Sequence, residues 1–236
     1  MKRLKGETYL KPLSKNKPSW KAYAVYDIET LPTLDRVYLV GFYDGESYRY
    51  FESKPLLPQH PASAVSQFLT WLFSTRRYCK YQLYAHNAGN FDVLYLIRWL
   101  MDRLKDYGAQ AIPIQSTILS ISVLDKISRR HWQFYDSNRL IPGGLDKLGK
   151  AFGLGGKIDG IDYSTLHRNP KRYEYLERDC RLLYGVILKF RQMIYDGGGD
   201  LGITAPATAM KTYRRSYMKQ WIPINKHFPG CEEIDK

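Results

Sequence analysis

Cysteine is scarce in this 236-residue chain, which has only Cys79, Cys180 and Cys231. They are widely spaced, odd in number and form no Cys-x-x-Cys pair, so neither a disulfide framework nor a zinc site is indicated. Long apolar runs are lacking as well. Stretches such as Val93 to Leu96 and Val186 to Leu188 are broken by Arg or Lys, well short of the ~20 residues that a membrane span requires. The basic start, Met1-Lys2-Arg3-Leu4-Lys5, is not followed by an apolar signal-peptide core. A soluble intracellular protein with no membrane partner is therefore expected. Internal repeats and low-complexity tracts are also missing. Acidic residues are in short supply: 23 Asp and Glu stand against 36 Lys and Arg, a formal charge of +13.

A field of that sign attracts polyanions, and nucleic acid is the commonest of these in cells. Twenty tyrosines add possible stacking surfaces for unpaired bases, although many must pack in or beside a core. Hydrophobic residues make up 44% of the chain and are spread along its length, enough for one well-buried core.

Three parts are expected: a basic arm over residues 1–21, a main domain over 22–200 and a helical extension over 201–236. The arm holds seven Lys or Arg and a single Glu. Strand-like segments at Tyr23 to Glu29, Val37 to Tyr43 and Ser47 to Glu52 read as three consecutive antiparallel strands, with a turn at Asp44-Gly45. Ala62 to Arg76 reads as a helix with Val65, Phe68, Leu69 and Leu72 on one stripe. A strand over Gln82 to His86, a helix from Phe91 to Leu104, two or three strands between Ala111 and Asp136, and a short helix from Leu145 to Phe152 follow. The longest helix is expected from Pro170, which suits a first turn, to Ile194, before the stop Gly197-Gly198-Gly199. Ala205 to Lys219 reads as a final helix. Strands first, then strands and helices in alternation, indicate an α/β fold with a mixed sheet flanked by helices.

Three clusters carry chemistry. Asp27 and Glu29 are two apart on a strand and so share a face. Two such carboxylates repel each other and resist desolvation, and a divalent cation relieves both problems. An isolated pair of this kind is also compatible with solvated groups at a strand end. The segment His86-Asn87-Ala88-Gly89-Asn90-Phe91-Asp92 delivers Asp92 to a helix start, where an acid commonly serves as a cap. Asn87 and Phe91 beside it suit the holding of an unpaired nucleotide. Tyr175 and Asp179 are four apart on one helix face, a spacing that a core-edge hydrogen bond also explains.

In sequence order, Asp-x-Glu, Asn-x-x-x-Phe-Asp and Tyr-x-x-x-Asp resemble the three exonuclease motifs of the DEDD superfamily, tyrosine subclass. The resemblance is closer to the protein-primed family B DNA polymerases, whose second motif often reads His-Asn-x-x-x-Phe-Asp and whose first is followed by Thr, as at Thr30. It runs from about Tyr23 to Tyr195. It implies a ribonuclease-H-like fold in which Asp27, Glu29, Asp92 and Asp179 hold two divalent cations, Mg²⁺ or Mn²⁺, the ions that hard oxygen ligands favour. It implies that Tyr175 orients the attacking water, and that Thr30, Asn87 and Phe91 hold a single-stranded DNA 3′ end. Lys157-Ile158-Asp159-Gly160-Ile161-Asp162-Tyr163 resembles the family's lysine segment with one residue more, giving Lys157 a catalytic part and Tyr163 a DNA contact. Asp136-Ser137-Asn138-Arg139-Leu140 stands where the family has Ser/Thr-Leu, with Asn138 in place of the leucine, and makes Ser137 and Leu140 further DNA contacts.

The expected activity is proofreading-type 3′→5′ exonucleolysis of single-stranded DNA. An exoribonuclease of the same fold and a catalytically silent single-strand-binding module are the alternatives. No Asp-x-x-Ser-Leu-Tyr-Pro or Asp-Thr-Asp polymerase motif occurs before Lys236. A free-standing exonuclease, a subunit of a split polymerase and a proofreading domain of a longer protein all remain open, and the resemblance implies a polymerase module or a terminal protein as a partner.

Overall fold

The computed structural model describes residues 9–14, 21–34, 36–54 and 63–223. Cys231 and the start of the expected helix at Ala62 lie outside the described residues. The chain divides into two compact units, residues 20–190 and residues 1–19 with 191–236.

The larger unit is built on a seven-stranded mixed sheet. Its strands are β2 (Tyr23–Thr30), β3 (Val37–Tyr43), β4 (Tyr48–Glu52), β5 (Gln82–Ala85), β6 (Tyr107–Ile114), β7 (Thr117–Asp125) and β8 (His131–Asp136), with β1 (Tyr9–Leu10) belonging to the smaller unit. The order across the sheet is β4-β3-β2-β5-β8-β7-β6. β2, β3 and β4 form the expected antiparallel meander. β2, β5 and β8 run parallel at the centre, and β6 and β7 close the other edge as an antiparallel hairpin. This is the mixed α/β arrangement that the sequence led to expect.

Alternation along β2 assigns its residues to two faces. Tyr26 and Ile28 join one large apolar cluster together with Val40, Phe42, Leu83, Trp132 and Phe134. The helix α1 (Ala64–Ser74) covers that face with Val65, Phe68, Leu69 and Leu72, the stripe read from its spacing. It starts at Ser63, whose side chain accepts the Ser66 N–H and so satisfies one otherwise unpaired donor. The helix α2 (Asp92–Met101) adds Val93, Leu96 and Leu100 to the same layer. Phe68 is the hub of the aromatic packing, with ring centroids 5.6–6.1 Å from Tyr26, Phe42 and Phe51.

The opposite face of β2 carries Asp27 and Glu29 and is covered by the long helix α5 (Arg172–Asp196), which follows the short α3 (Ser137–Leu140) and α4 (Leu145–Ala151). Tyr184 of α5 stacks on Tyr23 at 4.4 Å, and the Tyr23 hydroxyl donates to the Tyr184 carbonyl at 3.0 Å.

In the smaller unit, β1 pairs antiparallel with β9 (Ile222–Pro223). The helix α6 (Ala205–Thr212) is capped by Thr204, which accepts the Ala207 N–H. The expected helix to Lys219 is reached only in part. After Thr212 the backbone widens into a π-helical turn, Tyr213–Tyr217, closed by the Met218 N–H donating to the Tyr213 carbonyl.

Replacing Phe68 by Ala removes the hub and leaves a cavity too well walled to collapse. Denaturant unfolding should show a loss of about 3–5 kcal/mol, whereas Leu94→Ala on the exposed side of α2 should change stability by no more than about 0.5 kcal/mol.

Candidate active site

One carboxylate oxygen each from Asp27, Glu29 and Asp179 lies within 4.8 Å of the other two. Two of the acids come from the C-terminal half of β2 and the third from α5, so the cluster exists only where helix and sheet meet. Asp179 is buried. The register of β2 against β3 shifts between Glu29 and Thr30, a bulge that ends regular pairing beside the acids. Thr30 is half-buried at this strand end.

Asp92 is adjacent but outside that triangle. Its Oδ1 accepts the backbone N–H of Ile28 at 3.1 Å, the residue between Asp27 and Glu29. β5 pairs with β2 only as far as Val25, so the Asp92 carboxylate takes over a ladder position that the shorter strand leaves. The loop that delivers it is pressed onto β7. A Cβ on Gly89 would stand 2.1 Å from the Ile118 carbonyl oxygen, and the Gly89 N–H donates to buried Asp136 at 3.2 Å. Asn87, with φ of 61°, turns the chain and accepts from the Asn90 amide. Phe91 is half-buried and meets Tyr95 edge-on at 5.4 Å.

A lysine and two tyrosines rim the cluster. The Lys157 ammonium is 2.5 Å from Asp179 Oδ2 and donates to the Tyr175 hydroxyl at 2.9 Å. The Tyr163 and Tyr175 hydroxyls are 3.2 Å apart, with Tyr175 buried and Tyr163 exposed. The glycine-rich loop carrying Lys157 is anchored. Asp146 of α4 accepts the Lys157 N–H at 3.0 Å, and Arg178 of α5 donates to the carbonyls of Leu154 and Gly156 at 2.8 Å. Sequence reasoning missed Arg178 and Asp146. Their only signal was the position of Arg178 immediately before Asp179.

Two expected DNA contacts are not brought to this surface. Ser137 and Leu140 are buried, with 1% and 0% exposure. Asp136 caps α3 by accepting the Asn138 N–H, which turns Ser137 inward. Its hydroxyl donates to the Ala85 carbonyl and lies 3.0 Å from His86 Nδ1. As placed, Ser137 ties the chain after β8 to the end of β5.

The electrostatics are those of like charges held out of water. Burial, then the charge of Asp179, pushes the Asp27 carboxyl up to about 7. Burial and the neighbouring acids also raise Glu29 and Asp92 well above the carboxylate range, and burial raises Asp179 despite Lys157. Burial opposes the charge on Lys157, yet Asp179 and Asp27 hold its pKa above the ordinary lysine value. One ammonium cannot neutralise three carboxylates. Asp179 Oδ1 is a buried acceptor with no hydrogen-bond partner among the described residues. An all-oxygen donor set with excess negative charge and a free inward-facing oxygen fits a hard divalent cation such as Mg²⁺ or Mn²⁺.

No known protein-family model matches the chain. It is 25% identical over 225 residues, 91% of its length, to a DNA-directed DNA polymerase of Enterobacteria phage PRD1. It is 24% identical over 222 residues, 85% of its length, to a DNA polymerase of Bacillus phage M2. The chain spans about a third of these relatives, 34% and 36% of their lengths. Among solved structures, Phi29 DNA polymerase complexed with single-stranded DNA matches 80% of this chain and 34% of its own, with a TM-score of 0.59 at 20% identity. The chain is thus homologous over most of its length to phage DNA polymerases, and the fold of the larger unit recurs there.

A raised acid pKa means that the folded state holds its proton at a pH where the unfolded chain has released it. Folding is therefore favoured at low pH, and that advantage is lost between the unfolded value of about 4 and the folded value. In chelator, the melting temperature should fall as pH rises above about 4, the Asp27 contribution changing most steeply midway between about 4 and about 7 and levelling off above the Asp27 value of about 7. Asp27→Asn should flatten the profile, and Mn²⁺ should raise the melting temperature more at pH 8 than at pH 5. Differential scanning fluorimetry across this range reads all three effects.

Proposed function

We propose that this chain is a metal-dependent 3′→5′ exonuclease of single-stranded DNA, of the proofreading type. The observation that carries the proposal is the convergence of Asp27, Glu29 and Asp179, with Lys157 hydrogen-bonded both to the last acid and to the Tyr175 hydroxyl. The relation to phage DNA polymerases supports a DNA substrate. The formal charge of +13 supports a polyanion.

In this reading Asp27, Glu29, Asp92 and Asp179 would between them hold two divalent cations. When bound, two such ions stabilise negative charge on the attacking and departing oxygens of an in-line displacement at phosphorus. The protein's own groups do the positioning. The Tyr175 hydroxyl, fixed by Lys157 and Tyr163, orients the attacking water. It stays protonated throughout, because burial and then the charge of Asp179 hold its pKa far above neutrality. The Lys157 ammonium faces the phosphate as charge builds there. Tyr163, 60% exposed, offers a ring for stacking a terminal base, with Phe91, Asn87 and Thr30 along the same strand. Residues 22–200 form the exonuclease domain on this reading. The basic arm and residues 201–236 flank it, and a polymerase module and a terminal protein are its partners.

A time course on 5′-labelled single-stranded DNA with Mg²⁺ or Mn²⁺ tests the proposal. A ladder shortening from the 3′ end is expected, abolished by EDTA and by Asp27→Ala with Glu29→Ala, while strand binding by the double variant persists. Undiminished degradation by that variant would sink the assignment. Matched RNA run in parallel should be the poorer substrate. Tyr175→Phe should slow hydrolysis about 100-fold through loss of water alignment, with cation binding retained; unchanged turnover would make Tyr175 purely structural.

A further inference from the structure

The acidic cluster draws on β2 and α5, so its dimensions depend on how closely that helix approaches the sheet. Gly41 sits at a close approach of the two beside the acids. It lies on β3 directly opposite Asp27 and faces α5. A Cβ at this position would stand 2.8 Å from Leu176 Cγ, 2.9 Å from Cys180 Sγ and 3.1 Å from Leu176 Cδ1. These two residues bracket Asp179 on α5, and both are fully buried. Neither can yield cheaply. The Leu176 contact is to a branch carbon rather than a methyl end, and Cys180 has a single short arm in a filled interior. An added methyl would displace the helix backbone, carrying Asp179 away from Asp27 and Glu29.

Nothing in the strand itself calls for glycine here. Gly41 lies in regular antiparallel pairing between Val40 and Phe42 and is not among the residues with positive φ, and glycine in a strand interior ordinarily weakens it. The requirement comes from the helix above. We propose that Gly41 is a positioning residue for divalent-cation binding, its missing side chain letting α5 seat deeply enough for three carboxylates to share an ion. The inference rests on the metal-dependent reading above and deepens it.

Direct Mn²⁺ binding, followed by the loss of the free-ion electron paramagnetic resonance signal, tests it without reference to activity. The full chain is compared with Gly41→Ala, with Cys180→Val, which adds bulk to the same gap from the helix side, and with the relieved variant Gly41→Ala/Leu176→Ala/Cys180→Ala. Both single variants should keep their far-UV circular dichroism and bind Mn²⁺ about tenfold or more weakly, as losses behind the ligands do elsewhere. The relieved variant should recover affinity toward that of the wild type. Unchanged Mn²⁺ affinity in folded single variants, or a relieved variant as weak as Gly41→Ala, would overturn the role of Gly41 alone. Absence of Mn²⁺ binding by the wild-type chain would overturn the metal-dependent reading itself.

Discussion

The mutual repulsion of carboxylates confined between one strand and one helix governs the chemistry of this protein. At separations within 4.8 Å, each ionised pair repels by roughly 3–4 kcal/mol at an effective dielectric of ~20. Burial adds to that penalty by removing water. A fold optimised only for stability would place apolar residues at Asp27, Glu29 and Asp179. Here the surrounding structure over-determines their positions instead, which is how unfavourable arrangements persist at functional sites.

That over-determination comes from opposite faces of the same sheet. The aromatic layer around Phe68 fixes β2 from one side, and the Tyr23–Tyr184 stack seats α5 on the other. Asp92 is held by the Ile28 N–H and by a loop pressed onto β7 at Gly89. Arg178 and Asp146 fix the loop bearing Lys157. Several of these anchors lie on β2 and α5 themselves, at Tyr23, Ile28, Arg178 and Tyr184, so the elements that carry the acids are held by contacts other than the acids.

Much of this was legible in the sequence. Strand-like apolar segments around the Asp44-Gly45 turn marked the meander of β2, β3 and β4, and the Val65, Phe68, Leu69, Leu72 stripe marked α1. The three acidic clusters stood out because their order matched a known set of motifs. What escaped notice had weaker physical signatures. Most of β6 is exposed on both faces, so it shows no period-two pattern, and β1 and β9 are two residues each. Ser137 and Leu140 read as surface contacts because residue type does not reveal that the chain turns inward after Asp136. Nor does spacing tell which carboxylate oxygens converge. Asp27, Glu29 and Asp179 form the close group, while Asp92 spends one oxygen on backbone. Gly41 had no signal beyond being a glycine in a strand, since its role depends on a helix 135 residues further along the chain.

The account depends on a divalent cation occupying the acidic cluster. Crystals grown with Mn²⁺ and measured at the manganese absorption edge test this directly. The account predicts an anomalous peak at bonding distance from carboxylate oxygens of Asp27, Glu29 and Asp179, with a second peak beside Asp92 when a nucleotide is bound. Saturating Mn²⁺ with no peak at these acids, and Lys157 still paired to Asp179, would contradict it.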